Sequence, residues 1–412
     1  MKIDRLIIAT AALLAAFIPA MAQLSMSPYS RYGYGLLNDN ATSAQRAMGG
    51  VGYAMNSGRQ INVMNPASYA NCDSLTFLFD MGVDMTRLWS EEQDRTGKDF
   101  GGGLDYITMQ FPISKRIGGS IGLLPYSSVG YSFGSEIENG ESQRQGSGGL
   151  NQLYLGLGGR VYKGLTAGFN VSYLFGTTIN DLYAYTDGGS TTLFERVLEV
   201  RDFHLQFGVQ YSRPVGRRSK LTAGVSFSPG KTLLGHTYGV YYDINADTKP
   251  DTVGYTSLRD KYSLPASWGF GVNYEWNQRL MAEVDFTWQG WKKAKYATLE
   301  SFEKTRFDNR WKIACGLQYT PNPRGSYWQR INYRCGGYYN HDYLTIGDNS
   351  VREHGMSVGF GLPAPAGKTV INLGFEYKRR QANPDPLVKE TYFNITLGVN
   401  FNEMWFWRNK IR

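Results

Sequence analysis

Between Leu75 and Phe401, apolar residues alternate with small or polar residues in a series of runs, each about ten residues long. The last run shows the alternation most completely, because every second position is apolar. Its apolar residues are Phe393, Ile395, Leu397, Val399 and Phe401. Successive side chains of a β-strand point to opposite faces, so each run predicts a strand with one apolar face and one polar face.

About fourteen such strands can be counted, an even number, as in single-chain bacterial barrels. Their predicted ranges are 75–86, 103–113, 117–133, 147–162, 164–177, 195–213, 218–229, 259–276, 279–292, 308–320, 328–345, 353–363, 367–380 and 389–403. Short turns alternate with longer polar loops at 87–102, 134–146, 178–194, 230–258 and 293–307. Since short turns of such barrels are periplasmic, both termini are predicted to be periplasmic.

The first 22 residues predict a secretory signal peptide. A basic start, an apolar stretch over residues 6–18 and a small-x-small sequence ending at Ala22 place the cleavage before Gln23. An exported chain of amphipathic strands directs its apolar face toward lipid. We therefore expect an all-β protein, a closed antiparallel transmembrane β-barrel in the outer membrane of a diderm bacterium.

Residues 23–74 differ from the rest, because they are rich in Ser, Asn, Ala, Tyr and Gly and lack a period of two. Inward positions of the predicted strands carry many glycines, which leave room for a segment packed against the wall. A barrel of this size is wider than the about eight strands that side chains alone fill. We therefore predict four parts: a signal peptide (1–22), a lumenal hatch (23–74), the barrel (75–403) and a periplasmic tail (404–412). A periplasmic location of 23–74 is the alternative.

The alternation of the strands also predicts which polar residues face the lumen. Charges on the lipid side would cost about 2–4 kcal/mol for cations near the midplane, which fixes the register. The selected lumenal residues are His204, Glu283, Asp285, Lys312 and Glu376. We expect Glu283 and Asp285 to bond to the hatch or to inward cations, since lumenal charges need partners.

Pro125 interrupts the third predicted strand. Proline lacks the backbone donor of a strand ladder, so Pro125 marks a bulge or kink where one bond between strands is missing. Two interpretations stay open: a lateral gap that connects the lumen to the bilayer, or a corner that ends the strand before a loop. In the first interpretation, the neighbouring residues Leu124, Tyr126 and Ser127 line the lateral opening together with Pro125.

Four sequence features together resemble the FadL-like family (OMPP1/FadL/TodX), outer-membrane transporters for long-chain fatty acids and aromatic hydrocarbons. They are the small-residue run 47–52, the motif Asn65-Pro66-Ala67-Ser68 before the first strand, the proline-interrupted third strand, and Leu264-Pro265-Ala266-Ser267 at the eighth. The resemblance implies a fourteen-stranded barrel, a hatch with motif residues Gly49, Gly50, Asn65, Pro66 and Ala67, and a lateral exit at the third strand. The chain departs from the family's pattern after Phe401, where an aromatic and then basic tail continues to Arg412.

Composition adds three expectations. Aromatic residues make up 14% of the chain, as interfacial girdles require, and the net charge of +8 favours contact with anionic lipid rather than nucleic acid. The cysteines Cys72, Cys315 and Cys335 show no metal-ligand spacing, and a Cys315–Cys335 disulfide is one of two alternatives, with free thiols as the other. No enzyme motif stands above chance, so we expect no catalytic residues, no metal and no cofactor.

Two functions follow from these features. The first is an uptake channel for small hydrophobic molecules, with lateral release at the third strand; its route would be lined by Val51, Met55, Val63 and Met64. The second is a non-transporting FadL-like barrel that serves as a partner subunit of an outer-membrane protein assembly or secretion complex. Its loops or C-terminal tail would then bind envelope proteins.

Overall fold

The computed structural model describes residues 27–73, 76–137, 140–186, 191–244, 251–257, 262–297, 305–365 and 368–404. The predicted signal peptide and residues 405–412 of the predicted tail lie outside this part of the chain.

The described chain consists mainly of strands, joined by short helical turns. The strands are β1 (Leu36–Leu37), β2 (Thr76–Glu92), β3 (Arg95–Pro112), β4 (Ile117–Ile137), β5 (Gly140–Tyr162), β6 (Leu165–Thr186), β7 (Thr191–Val215), β8 (Ser219–Ser228), β9 (Lys231–Thr232), β10 (Gly235–Ile244), β11 (Asp251–Ser257), β12 (Ser263–Leu264), β13 (Ser267–Trp276), β14 (Leu280–Gln289), β15 (Arg306–Phe307), β16 (Arg310–Tyr319), β17 (Asn332–Ile346), β18 (Asn349–Pro363), β19 (Val370–Asn383) and β20 (Lys389–Met404). The helices are α1 (Ser43–Arg46) and α2 (Tyr327–Arg330), with 3₁₀ turns at Pro28–Arg31, Pro66–Asn71 and Trp291–Lys293.

The strands close into an antiparallel barrel of fourteen, which confirms the predicted fold class and count. Six single strands, β2 to β7, come first, and β17 to β20 come last. The seventh barrel strand consists of β8 to β10, the eighth of β11 to β13, the ninth of β14, and the tenth of β15 and β16. Pairing of β2 with β20, from Thr76↔Met404 to Glu91↔Lys389, closes the barrel.

Several connections that the sequence analysis assigned to long loops are strands instead. The predicted loop 87–102 is almost entirely strand, since β2 continues to Glu92 and β3 begins at Arg95. The predicted loops 134–146 and 178–194 are shortened in the same way. Beyond the membrane, outward positions need not be apolar, so the period of two disappears from the sequence while the backbone pairing continues.

The two faces of the wall follow the predicted alternation. On β7 the outward side chains Phe203, Leu205, Phe207, Val209 and Tyr211 are exposed on the outer surface, where lipid lies. The inward Gln210 between them is fully buried. Cys315 and Cys335 also lie outward and are free thiols, so the disulfide alternative is wrong. None of the helices in the described ranges is long and apolar enough to cross a membrane.

The segment from Ser27 to Asp73 packs inside the barrel, and it is called the hatch below. Inward glycines make room for its backbone: a Cβ at Gly224 would meet the carbonyl oxygen of Tyr53, and one at Gly168 would lie 2.4 Å from that of Pro66. Bulkier residues at these positions would collide with hatch backbone. The glycine-rich inner wall is therefore shaped to this segment.

The prediction of a periplasmic N-terminus required the hatch to begin at the short-turn end of the barrel. The structure instead places the first hatch residues at the long-loop end. The Ser27 amide donates to the Gly130 carbonyl at 2.7 Å, and its hydroxyl donates to Glu390 at 2.7 Å. Glu390 lies near the start of β20, at the long-loop end. The outer half of β4 is not paired with β3, and the first hatch residues pair with β4 in its place.

We predict that Gly224→Val displaces the hatch and leaves the barrel folded, because the added side chain meets the Tyr53 backbone. Heat-dependent gel migration would show whether the barrel is folded, and limited proteolysis would show whether the hatch is protected inside it. Gly159→Val is the matched control, since the nearest atoms to a Cβ at Gly159 are 3.9 Å away. Equal protease protection of the hatch in both variants would contradict the packing described here.

Candidate functional site: the occupied lumen

Two acidic side chains of β14 bind the middle of the hatch. Asp285 accepts hydrogen bonds from the backbone amides of Gly52 (2.6 Å) and Tyr53 (3.0 Å), and Glu283 accepts one from Ala54 (2.8 Å). Both carboxyl groups are almost fully buried. These carboxylates accept the hydrogen bonds that backbone carbonyls of a strand or helix would otherwise accept from the hatch amides.

Asn65 anchors the second half of the hatch. Its side-chain oxygen accepts from the Ala67 amide at 3.1 Å and begins the 3₁₀ turn Pro66–Asn71, while its amide nitrogen donates to the Tyr53 carbonyl at 2.8 Å. The inward Gly208 leaves the space that this side chain occupies. The predicted motif residues Asn65, Pro66 and Ala67 thus lie at one contact with the wall.

The glycines of the predicted motif lie at a second contact. Gly49 and Gly50 have φ of +74° and +78°, which favours glycine, and the Gly49 amide donates to the Ser357 hydroxyl at 2.8 Å. A Cβ at Gly49 would lie 2.8 Å from the Cys315 carbonyl oxygen. The backbone of the hatch therefore touches the wall directly here.

An ion-pair cluster joins the hatch to β16, the strand that pairs with β14 in the wall. Asp39 bonds to Lys312 Nζ at 2.6 Å and to Arg310 Nη2 at 3.1 Å. Burial acts to raise the pKa of Asp39, but the charges of Lys312 and Arg310 outweigh it and hold that pKa well below its usual range. The ionised form of Asp39 is therefore the one that the cluster stabilises.

The cluster continues around the wall through β18 and β19. Arg380 pairs with Glu353, and the Tyr338 hydroxyl lies 3.0 Å from Glu353 and 2.9 Å from Glu376. On the hatch, Arg46 pairs with Asp105 of β3. Ionic contacts of the hatch thus reach both β16 and β3, and a layer of charged side chains lines this side of the lumen.

Two small polar cavities remain at this layer. The larger has a volume of about 110 Å³ and is lined mainly by polar side chains, among them His204, Asp285 and Lys312. The smaller, of about 70 Å³, is lined by charged residues that include Glu376. Both are smaller than the about 150 Å³ apolar cavity that holds benzene, and a polar lining favours water.

An aromatic cap covers the lumen at the long-loop end. It consists of Tyr34, Trp291, Tyr296, Phe307 and Tyr343, with ring centroids 4.5 Å apart for Trp291–Tyr343 and 5.3 Å apart for Tyr34–Tyr296. Trp291 and Tyr343 are fully buried, and the Tyr343 hydroxyl donates to the Gly35 carbonyl at 2.6 Å. The cap therefore ties the external segments to the hatch.

The wall is interrupted next to Pro125. Strand β4 pairs with β3 only between Ile107↔Leu123 and Pro112↔Gly118, so the outer part of β3 has no β4 partner in the described residues. On its other side β4 pairs with β5, and the register shifts between Pro125 and Ser127. In place of β3, β1 pairs with β4 at Leu36↔Ser128 and Leu37↔Ser127. The hatch thus covers the inside of this seam.

The residues selected for a ligand route pack among other side chains. Val51 and Met55 lie in an apolar cluster with Met48 and Ala314, whereas Val63 and Leu124 lie in another with Tyr69 and Tyr154. Met64 and Tyr126 line the larger polar cavity, and Ser127 is buried in the β1 pairing. These positions do not join into one apolar path in the described part of the lumen, and their role as a route stays a prediction.

Some lumenal residues were missed by the sequence analysis. Arg310 has the same parity as Lys312 on β16, and Glu353 and Arg380 also face inward, so the strand alternation could have found all three. Asp39 lies in a segment without periodicity, and no pattern identifies it. Within the described ranges no group of three His, Cys, Asp or Glu side chains is arranged to hold a metal ion.

Comparison with solved structures identifies the class of fold as the FadL-like outer-membrane barrel. The Pseudomonas putida toluene transporter TodX superposes with a TM-score of 0.63 at 14% identity, covering 90% of this chain and 100% of that chain. A Pseudomonas aeruginosa FadL homologue gives 0.62 at 13% identity, with coverages of 90% and 100%. The CymD monoaromatic hydrocarbon channel gives 0.61 at 14% identity, with coverages of 89% and 99%.

At such identities the likeness concerns the fold alone. The family is given by sequence: the BamG family model matches residues 2–412, so the chain belongs to the BamG family. The FadL-like resemblance noted in the sequence is thus confirmed for the fold, and the family is BamG. A search of curated proteins found no match.

We predict that Asp39→Asn loosens the hatch, because it leaves Arg310 and Lys312 without their charged partner. Removal of a partner from charged hydrogen bonds costs about 1–3 kcal/mol, measurable as faster hydrogen exchange of the hatch amides. Because the pKa of Asp39 is lowered by folding, its contribution is present above about pH 3.8 and is lost only in stronger acid. The control is Asp348→Asn, at a fully exposed carboxylate 3.7 Å from Arg306. Equal exchange in both variants would contradict an anchoring role for Asp39.

Proposed function

We propose that this protein is a closed, non-transporting barrel that serves as a partner subunit of an outer-membrane protein assembly complex. The observation that carries the proposal is the charged layer around Asp39, Lys312 and Arg310, which lies in the lumen between the aromatic cap and the periplasmic end. A hydrophobic solute needs a continuous apolar path to bind along, and desolvated charges oppose its passage.

The volumes support the same conclusion. Ligand sites for small molecules usually measure about 300–1,000 Å³, whereas the two cavities at the charged layer are about 110 Å³ and about 70 Å³. The hatch that fills the remaining space is bound by buried carboxylates at Glu283 and Asp285. Opening a route would require these buried groups to lose their partners.

Membership of the BamG family favours the partner role over the channel role. A barrel that is filled and capped presents its ends and its lipid-facing wall, and these are the surfaces that another protein can bind. A rigid, filled barrel also suits a structural subunit, because little conformational entropy is lost when such a surface is bound.

We expect the tagged full-length protein, extracted in mild detergent from its own cell, to elute with other envelope proteins in fixed stoichiometry. Depletion of the protein should lower the amounts of other outer-membrane barrels, measured by quantitative proteomics of the membrane. A second tagged barrel of similar abundance is the control. Elution as a monomer, with unchanged barrel levels on depletion, would exclude the assembly role.

The seam between β3 and β4 favours a second candidate, the uptake channel with lateral release at Pro125. If this candidate is correct, Pro125→Val should extend the β3–β4 pairing and slow the uptake of toluene, used here as the probe. Pro112→Val, at the periplasmic end of the β3–β4 pairing, is the matched control. Toluene entry that does not depend on the presence of the protein would exclude the channel.

A further inference from the structure

The periplasmic mouth of the barrel contains two polar hollows. One, called the vestibule below, has a volume of about 540 Å³ and a floor formed by hatch residues 56–60. A second hollow of about 670 Å³, called the turn groove, adjoins it between the β7–β8, β13–β14 and β16–α2 turns. The two hollows share Lys220, Glu275 and Arg279, so they form one continuous surface.

This surface is strongly basic. The vestibule is lined by five basic residues, Arg59, Lys220, Arg279, Arg330 and Lys368, against two acidic residues, Asp73 and Glu275. The turn groove adds Arg217, Arg218 and Arg324, with no further acidic residue.

Most of these cations have no charged partner among the residues that the structure describes. Lys220 pairs with Glu275 at 2.9 Å and donates to the Asn56 carbonyl at 3.2 Å. No ion pair joins the other basic residues of the surface to an acid among the described residues. The Nε atom of Arg330 is buried and has no hydrogen-bond partner among the described residues. Unpaired cations crowded around a hollow repel one another, and an anionic occupant would relieve that repulsion.

The position of the cations selects the kind of occupant. Lipid headgroups lie around the outer wall, whereas the vestibule lies within the wall and is lined by inward residues such as Asn273, Asn372 and Asn400. Its floor carries Arg59 of the hatch. A protein segment that enters from the periplasm can reach this floor, because its backbone is not confined to the membrane.

We propose that the vestibule and turn groove bind an acidic segment of a periplasmic protein. This inference rests on the proposed partner function and names the surface and the charge of the partner. Electrostatic complementarity of this kind directs association and orientation, so the binding is expected to weaken with salt.

The test uses the tagged full-length protein and a charge-reversal variant of this surface, called the vestibule variant: Arg217→Glu, Arg218→Glu, Arg279→Glu and Arg324→Glu. The matched control reverses four cations of neighbouring short turns that line neither hollow: Lys115→Glu, Arg116→Glu, Arg160→Glu and Lys163→Glu. Heat-dependent gel migration checks that all three barrels fold. Co-purified proteins are identified by mass spectrometry, and each is then purified and titrated against the barrel in nanodiscs.

We expect a periplasmic protein with an acidic segment to bind the wild type and the control equally, and the vestibule variant about tenfold more weakly. Equal binding to all three proteins would overturn the inference and leave the partner function intact. Absence of any stoichiometric partner for the wild type would overturn the partner function itself.

A polyglutamate peptide serves as a defined probe of the same surface. It should bind the wild type in phosphatidylcholine nanodiscs and lose affinity in the vestibule variant but not in the control. If the peptide binds in phosphatidylcholine discs but not in discs that contain phosphatidylglycerol, the anionic headgroups occupy the cations. The surface then binds lipid headgroups, and the inference is wrong.

Discussion

The structure depends on how an irregular backbone is satisfied inside a membrane protein. At the depth of the bilayer, non-helical backbone is tolerated only where it is buried in protein or lines a wet cavity. The hatch meets this requirement through wall side chains: Asp285 and Glu283 accept its amides, and Gln210 donates to the Tyr53 carbonyl at 3.0 Å. Inward glycines allow the close approach that these bonds need. The polarity of the inner wall therefore follows from the presence of the hatch.

The same bonds decide what the lumen can do. A wall built to bind polar backbone also carries charges, and these pair with the hatch at Asp39–Lys312 and with each other at Arg380–Glu353. Removal of one partner from such charged hydrogen bonds costs about 1–3 kcal/mol. Movement of the hatch would break several such contacts together. These contacts therefore oppose movement of the hatch, and we expect function at the surfaces of the barrel: the seam at β4, the aromatic cap and the basic periplasmic mouth.

Much of the fold is predictable from the sequence, because lipid on one side and polar contacts on the other impose a period of two. That period gives the strand count, the inward positions of Glu283 and Asp285, and the need for a filler behind the glycines. It ends where the strands leave the membrane, so the extensions of β2 and β3 were assigned to loops. No periodic signal shows where the hatch begins either. Ser27 lies at the long-loop end of the barrel, opposite to the predicted periplasmic end. The break at Pro125 is visible in the sequence, whereas its replacement pairing with Leu36 and Leu37 requires the three-dimensional structure.

The central claim is that the lumen is closed in the resting protein. Single-channel conductance of the purified wild type in a planar lipid bilayer tests it most directly, with a variant that lacks residues 27–70 as the open reference. Our account predicts a wild-type trace without conductance steps, and regular steps for the deletion variant. Stable open-channel steps in the wild type, at a level similar to that of the deletion variant, would contradict the account.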